Sequence, residues 1–160
     1  MTDDDRRKRG LETMGQVYGW EVQDGPGDFF GLTVEHLFAE IWTRPGLTQR
    51  DRRLLLIGLL VGQGLHDVAE IQVDAALRQG ELDVEQLREI VIFLTHYAGW
   101  PSGAKLSMLT EKVIATAAKA AARQAAQAGA AQASTAQAGA AQAGTAQAGT
   151  AQAAEPEPDR

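Results

Sequence analysis

Apolar residues recur at three- and four-residue spacing along the first two thirds of the chain, the signature of helices with one buried face. Val34, Leu37, Phe38 and Ile41 form the first clear stripe. Thr33 stands where an N-cap would, and Arg44-Pro45-Gly46 ends the run, because Pro45 pushes the residue before it out of the helical region. Thr48 is placed to cap a second helix, with Asp51 in its first turn, where a negative charge meets the helix dipole favourably. That helix is predicted to reach about Val61. From Leu54 it is apolar on nearly every side, which predicts a central position, and Gly62 and Gly64 close it. A third helix is predicted from about His66 to Arg78, stopped by Gly80. Asp83 and Gln86 have capping-box spacing at the start of a fourth, whose buried stripe is Val84, Leu87, Val91, Leu94 and Ala98. After Gly99 and Pro101 a fifth starts near Ser102 and carries Leu106, Leu109, Val113 and Ala117. No alternating run bounded by turns marks a strand.

The two ends break this pattern. Residues 1–28 are polar and Gly-rich around Gly25-Pro26-Gly27, and read as an arm with a short helix near residues 11–17. From Ala125, Gln returns at 127, 132, 137, 142, 147 and 152 in a unit of five, A-Q-A-G-[A/T]. Five residues do not match the helical turn, so no face is built. Each Gly of the repeat costs a helix about 1 kcal/mol relative to Ala. With no side chain larger than Gln, little offsets the entropy of ordering. Residues 125–160 therefore read as a disordered tail; Ala-driven extension of the last helix is the competing reading. The globular part is 29–124.

Composition narrows the chemistry. The chain has 160 residues, a net charge of −6 and no cysteine. The acidic balance gives no basis for holding nucleic acid or an anionic membrane. Arg6, Arg7, Lys8 and Arg9 sit beside Asp3, Asp4 and Asp5 and read as a self-compensating terminus. Without cysteine there is no disulfide, thiolate metal site or thiol nucleophile. The N-terminus has no apolar signal region, and the longest apolar run, residues 54–61, is too short to span a bilayer, so a cytoplasmic location is expected. Abundant Ala, Arg and Gly with few Lys suits a bacterial genome rich in GC. His36, His66 and His96 lack the close pairing of a helical zinc site, so no metal is expected.

Residues 40–47 read E-I-W-T-R-P-G-L, and residues 97–101 read Y-A-G-W-P, with a helix closing on Asp74, Ala75, Ala76, Leu77 and Gly80 between them. In order and spacing this resembles the carboxymuconolactone decarboxylase family, which includes the AhpD-type alkylhydroperoxidases, over roughly residues 29–115. The resemblance implies an all-α, AhpD-like bundle of about five to six helices. It also implies homo-oligomers, trimers or hexamers, with clefts near subunit contacts. It makes the departures informative. Where such relatives carry a histidine on the third helix, this chain has Gln72, which cannot shuttle a proton near neutral pH. The two AhpD cysteine positions hold Leu65 and Val68, the AhpD glutamate position holds Arg53, and a Gln or His position on the fourth helix holds Phe93.

These residues give a candidate site. Glu40, if partly buried, would have a raised pKa and act as a general acid; a structural ion pair with Arg44 is the plainer reading. His66 at the start of the third helix and Tyr97 are further proton-transfer candidates, with Gln72 as a hydrogen-bonding group. Trp42, Arg44, Arg53, Leu65, Val68, Phe93 and His96 are the candidate substrate-binding residues, Arg44 or Arg53 holding a carboxylate or enolate oxygen. The expectation is a pocket shared by Gln72 and Phe93 and more apolar than in relatives. The expected activity is a cofactor-independent lyase or isomerase of the decarboxylase type on a hydrophobic or aromatic carboxylate or enolate, in secondary metabolism or aromatic catabolism. A non-catalytic ligand-binding or scaffold protein on the same frame is the second reading. The third, an alkylhydroperoxidase, is disfavoured by the missing cysteines.

Overall fold

The computed structural model of the chain describes residues 2–148, and every regular element among them is helical. The elements are α1 (Asp3–Tyr18), α2 (Asp28–Leu32), a π-helix (Thr33–Ile41), α3 (Gln49–Gly62), α4 (His66–Arg78), α5 (Val84–Ala98) and α6 (Trp100–Ala148). The chain divides into two compact units, Met1–Ala117 and Ala118–Arg160.

The local rules of helix termination hold at most boundaries. Thr48 accepts from the Asp51 amide while the Asp51 side chain bonds back to Thr48, and Asp83 and Gln86 form the same reciprocal box ahead of α5. Two orphan N–H groups are satisfied at each site. Gly80 follows α4 at φ 68°, a left-handed conformation that other residues rarely adopt. Pro101 sits in the first turn of α6, where its missing N–H has no helical partner to lose.

The core gathers the inner faces of α3, α4, α5 and α6. Ile57, Leu60 and Val61 from α3 meet Ala69, Val73 and Ala76 from α4, with Leu87 from α5 and Leu106, Leu109 and Val113 from α6. Each fully buried Val, Leu or Ile side chain contributes about 1.5–3 kcal/mol relative to exposure. The Val84 to Ala98 stripe of α5 is only half-buried apart from Leu87. α3 is less central than its composition predicts, since Leu55 and Leu59 stand 63% and 55% exposed.

The first apolar stripe is folded differently from expectation. Thr33 is not an N-cap; helical structure already starts at Asp28, and the Thr33 hydroxyl donates to the Phe29 carbonyl at 2.8 Å. The turns from Thr33 are wide, closed by bonds such as Trp42 N–H to the Leu37 carbonyl, five residues back. That widening buries Val34, Phe38 and Ala39 and leaves Leu37 and Ile41 about 40% exposed.

Residues 3–18, expected as mostly an arm, are a helix of 16 residues opened by a Thr2–Asp5 capping box. α1 packs on the π-helix so tightly that Gly10 has no room for a side chain: a Cβ there would lie 2.7 Å from Val34 Cγ1. Arg7 grips both carboxylate oxygens of Asp24, the Gly25 carbonyl at 2.8 Å and Glu35 at 2.8 Å. The basic cluster is thus partly used to fasten the Gly-rich loop rather than simply solvated.

α6 continues through Ala148, taking in residues 125–148 of the segment expected to be a disordered tail. Ala has the highest helix propensity, which favours continuing the helix through this segment. Residues 118–132 are exposed throughout. The acidic stretch 155–160 lies outside the described residues. Among those described, no helix is long and apolar enough to cross a membrane.

Candidate functional site

Arg53 and Gln72 meet each other rather than a hollow. Arg53 is fully buried on α3, and its guanidinium donates to both carboxylate oxygens of Glu81, at 2.7 and 3.0 Å, and to Gln72 Oε1 at 2.7 Å. Gln49 Nε2 adds a bond to Glu81 at 2.7 Å. The planar guanidinium fork suits this bidentate geometry, and the pair ties α3 to α4 and to the turn after it. Arg53 as a substrate clamp is therefore corrected: its donors are directed into the protein. The site expected between Gln72 and Phe93 is corrected too. Gln72 is turned into this buried network, whereas Phe93 is 58% exposed on α5, its ring 5.0 Å from that of Tyr97. Neither lines any of the hollows named below.

Glu40 is also placed otherwise. Its carboxylate lies 2.8 Å from His36 Nδ1 and 3.7 Å from Arg6, not against Arg44. The bond from His36 and the nearby charges of His36, Arg6 and Arg9 hold it below the usual carboxylate range, against a smaller opposing effect of desolvation. A raised pKa for a general acid is thus replaced by a carboxylate held ionised. It lines a small hollow of about 240 Å³ with Arg6, Leu32, Glu35 and His36. Trp42 stacks on Phe38 with ring centres 6.1 Å apart, and Arg44 is exposed, its carbonyl accepting from Arg52 at 2.6 Å. Leu65, just before α4, and Val68 on α4 are about 40% exposed. His96 bonds the Ile92 carbonyl and borders an apolar hollow of about 300 Å³ with Val91, Thr95 and Trp100.

His66, one of the predicted proton-transfer residues, has polar groups around its ring. It opens α4 beside a hollow of about 330 Å³ bounded by the α3–α4 turn and the α5–α6 junction, with Ser102 and Lys105 on the same wall. Its Nδ1 lies 3.0 Å from the Gly64 carbonyl; its Nε2 lies 3.0 Å from Ser102 Oγ and 3.1 Å from the Ser102 carbonyl. Ser102 Oγ also reaches the Val61 carbonyl at 3.1 Å.

A carbonyl only accepts, so a proton on Nδ1 bonds the Gly64 carbonyl and a proton on Nε2 can bond the Ser102 carbonyl. With Nδ1 protonated, Nε2 has two arrangements. Unprotonated, it accepts the Ser102 hydroxyl proton; protonated, it donates to Ser102 while the hydroxyl turns to Val61. Lys105 lies one turn beyond Ser102, is exposed, and makes no ion pair among the described residues.

Ser102 and Lys105 were not legible as site residues. They sit in a helix whose pattern reports only packing, and no local spacing links them to His66, 36 residues from Ser102 in sequence. No cluster of His, Asp or Glu among the described residues has the arrangement of a metal site.

An all-helical domain with a histidine, a hydroxyl and a free ammonium around one hollow has the parts for acid–base chemistry on an anion. Residues 27–111 match the carboxymuconolactone decarboxylase family, and the chain belongs to that family. It is 28% identical over 121 residues to 4-carboxymuconolactone decarboxylase of Acinetobacter baylyi, covering 71% of this chain and 90% of that protein. It is 32% identical over 83 residues to nitrosuccinic acid decarboxylase npaB of Metarhizium robertsii, covering 52% of this chain and 57% of that protein.

Proposed function

We propose that the protein is a cofactor-independent, decarboxylase-type lyase acting on a carboxylate whose own carbonyl or enone accepts the electrons of the broken bond. Two similar proteins named as decarboxylases support this reading. The observation that carries it is the hollow in which His66 faces Ser102 with Lys105 beside them.

In the reaction, the bond from the α-carbon to the carboxylate breaks and carbon dioxide leaves. The electron pair moves into the substrate's conjugated oxygen, where the Lys105 ammonium meets the developing charge. The proton on His66 Nε2 then passes to the carbanionic carbon, and the ring regains one from water. Exposed Leu65 and Val68, at the start of α4, suit a hydrophobic portion of the substrate. We also propose self-association, because Leu55, Leu59, Phe93 and Tyr97 are more exposed apolar surface than a small monomer usually carries. The acidic net charge favours neither nucleic acid nor an anionic membrane as a partner.

Carbon dioxide release from a panel of β-keto acids and unsaturated lactone acids tests the site. His66→Ala should lower turnover by about 100-fold or more, the range for a lost general acid. Lys105→Met should act chiefly on the same step, and both variants should keep native helicity by circular dichroism. Undiminished turnover in both would move the chemistry elsewhere.

A further inference from the structure

We infer that Ser102 and His66 also form an acyl-transfer centre, an activity separate from loss of carbon dioxide, whose substrate class is a small ester or lactone. The geometry is that of a nucleophile, a base and a group that orients the base. Ser102 Oγ lies 3.0 Å from His66 Nε2, and His66 Nδ1 lies 3.0 Å from the Gly64 carbonyl. That carbonyl fills the place a carboxylate takes in a catalytic triad: with the proton held on Nδ1, Nε2 accepts from the hydroxyl as the base, and once protonated it meets the Ser102 carbonyl, 3.1 Å away.

The turn that aims it depends on Gly64, at φ 75°. The Val61 carbonyl competes for the serine proton at 3.1 Å, yet the Gly64 N–H already bonds it at 3.1 Å. Turning the hydroxyl to His66 therefore strands no buried acceptor. The hollow of about 330 Å³ admits a small acyl group beside both side chains. The Lys105 ammonium is one turn away on the same wall, and the Ser102 N–H, in the first turn of α6, has no helical carbonyl to bond; either can meet an oxyanion.

The steps balance without a further reagent. Ser102 Oγ bonds to the acyl carbon and its proton goes to His66 Nε2. The carbon–oxygen bond to the alcohol breaks, and that oxygen leaves with the proton from Nε2. Water then adds to the acyl carbon, giving its proton to Nε2, and Ser102 departs with that proton. One ester and one water become one acid and one alcohol.

The probe is p-nitrophenyl acetate on the full-length protein, with nitrophenolate release followed by absorbance and the acetyl group located by peptide mass spectrometry. The expected result is a burst equal to the protein concentration, with acetyl on Ser102, and a fall of about 100-fold or more in Ser102→Ala and in His66→Ala. Acetyl found on lysine alone, or release unchanged in Ser102→Ala, overturns the proposal. A measurement that does not rely on Ser102→Ala folding uses the absence of cysteine. Ser102→Cys introduces one thiol, and its alkylation by iodoacetamide near neutral pH should be at least about tenfold faster than in Ser102→Cys combined with His66→Ala; equal rates refute the dyad. None of these readouts depends on carbon dioxide release, so this inference and the decarboxylase reading can fail independently.

Discussion

Replacing Arg53 by alanine removes the cation from a buried network and leaves its partners behind. The Glu81 carboxylate, in a side chain 12% exposed, loses both guanidinium bonds and keeps only that from Gln49. Gln72 Oε1 loses its bond in a residue that is 3% exposed. Breaking a buried pair from one side costs about 3–5 kcal/mol, mostly because the remaining charge is uncompensated. The orphaned amide oxygen belongs to the same loss and is not added separately. Against a total stability of about 5–15 kcal/mol for a domain of this kind, the effect is large. Urea denaturation followed by circular dichroism measures it. Arg53→Met combined with Glu81→Leu removes both charges and should recover a large part of the loss, since apolar replacement of a whole buried pair is often neutral. A loss below about 1 kcal/mol in Arg53→Ala, or a double variant no more stable than Arg53→Met alone, would refute the reading of Arg53 as a buried structural cation.

Gly10→Ala should loosen α1 from the π-helix at a cost of at least about 1–3 kcal/mol, because the new methyl would meet the Val34 backbone as well as its side chain, with Val34 C 2.8 Å away; thermal unfolding and proteolysis of residues 3–18 would report it. Gly103→Ala should cost a similar amount where α6 crosses Thr95, whose Cβ would lie 2.7 Å from the added carbon, and wild-type melting of this variant would refute the close approach. Asp24, Glu40, Asp51 and Glu111 are all held below their ordinary pKa values, each first by a side-chain hydrogen bond, from Arg7, His36, Thr48 and Arg88 respectively. A depressed carboxylate contributes stability above its unfolded pKa and loses it as pH falls through the folded one. Urea midpoints should therefore be flat from these groups at neutral pH and decline once the pH drops below the ordinary values of 3.8 and 4.5, and Asp24→Asn should weaken that decline.

The sequence by itself determined where α3, α4 and α5 lie, because capping and termination are local. Thr48 with Asp51, Asp83 with Gln86 and the Gly80 stop each act within a few residues, and their physics needs no knowledge of the rest of the chain. The family frame was legible for the same reason, as short motifs in fixed order. What the sequence could not determine was which faces meet. The wide turns of the Thr33–Ile41 segment, the closing of α1 over it, and the pairing of Arg53 with Gln72 and Glu81 across 19 and 28 residues each depend on contacts between distant segments. The expected pocket placed Gln72 and Phe93 together because comparison by position says where a residue falls on a helix, not whether a buried guanidinium has already claimed it. His66 kept its candidacy, but Ser102 and Lys105 joined it only when packing brought the start of α6 against the start of α4. Hydrogen-bond chemistry is set by distances of about 3 Å, and only the tertiary fold brings groups 36 residues apart to that range.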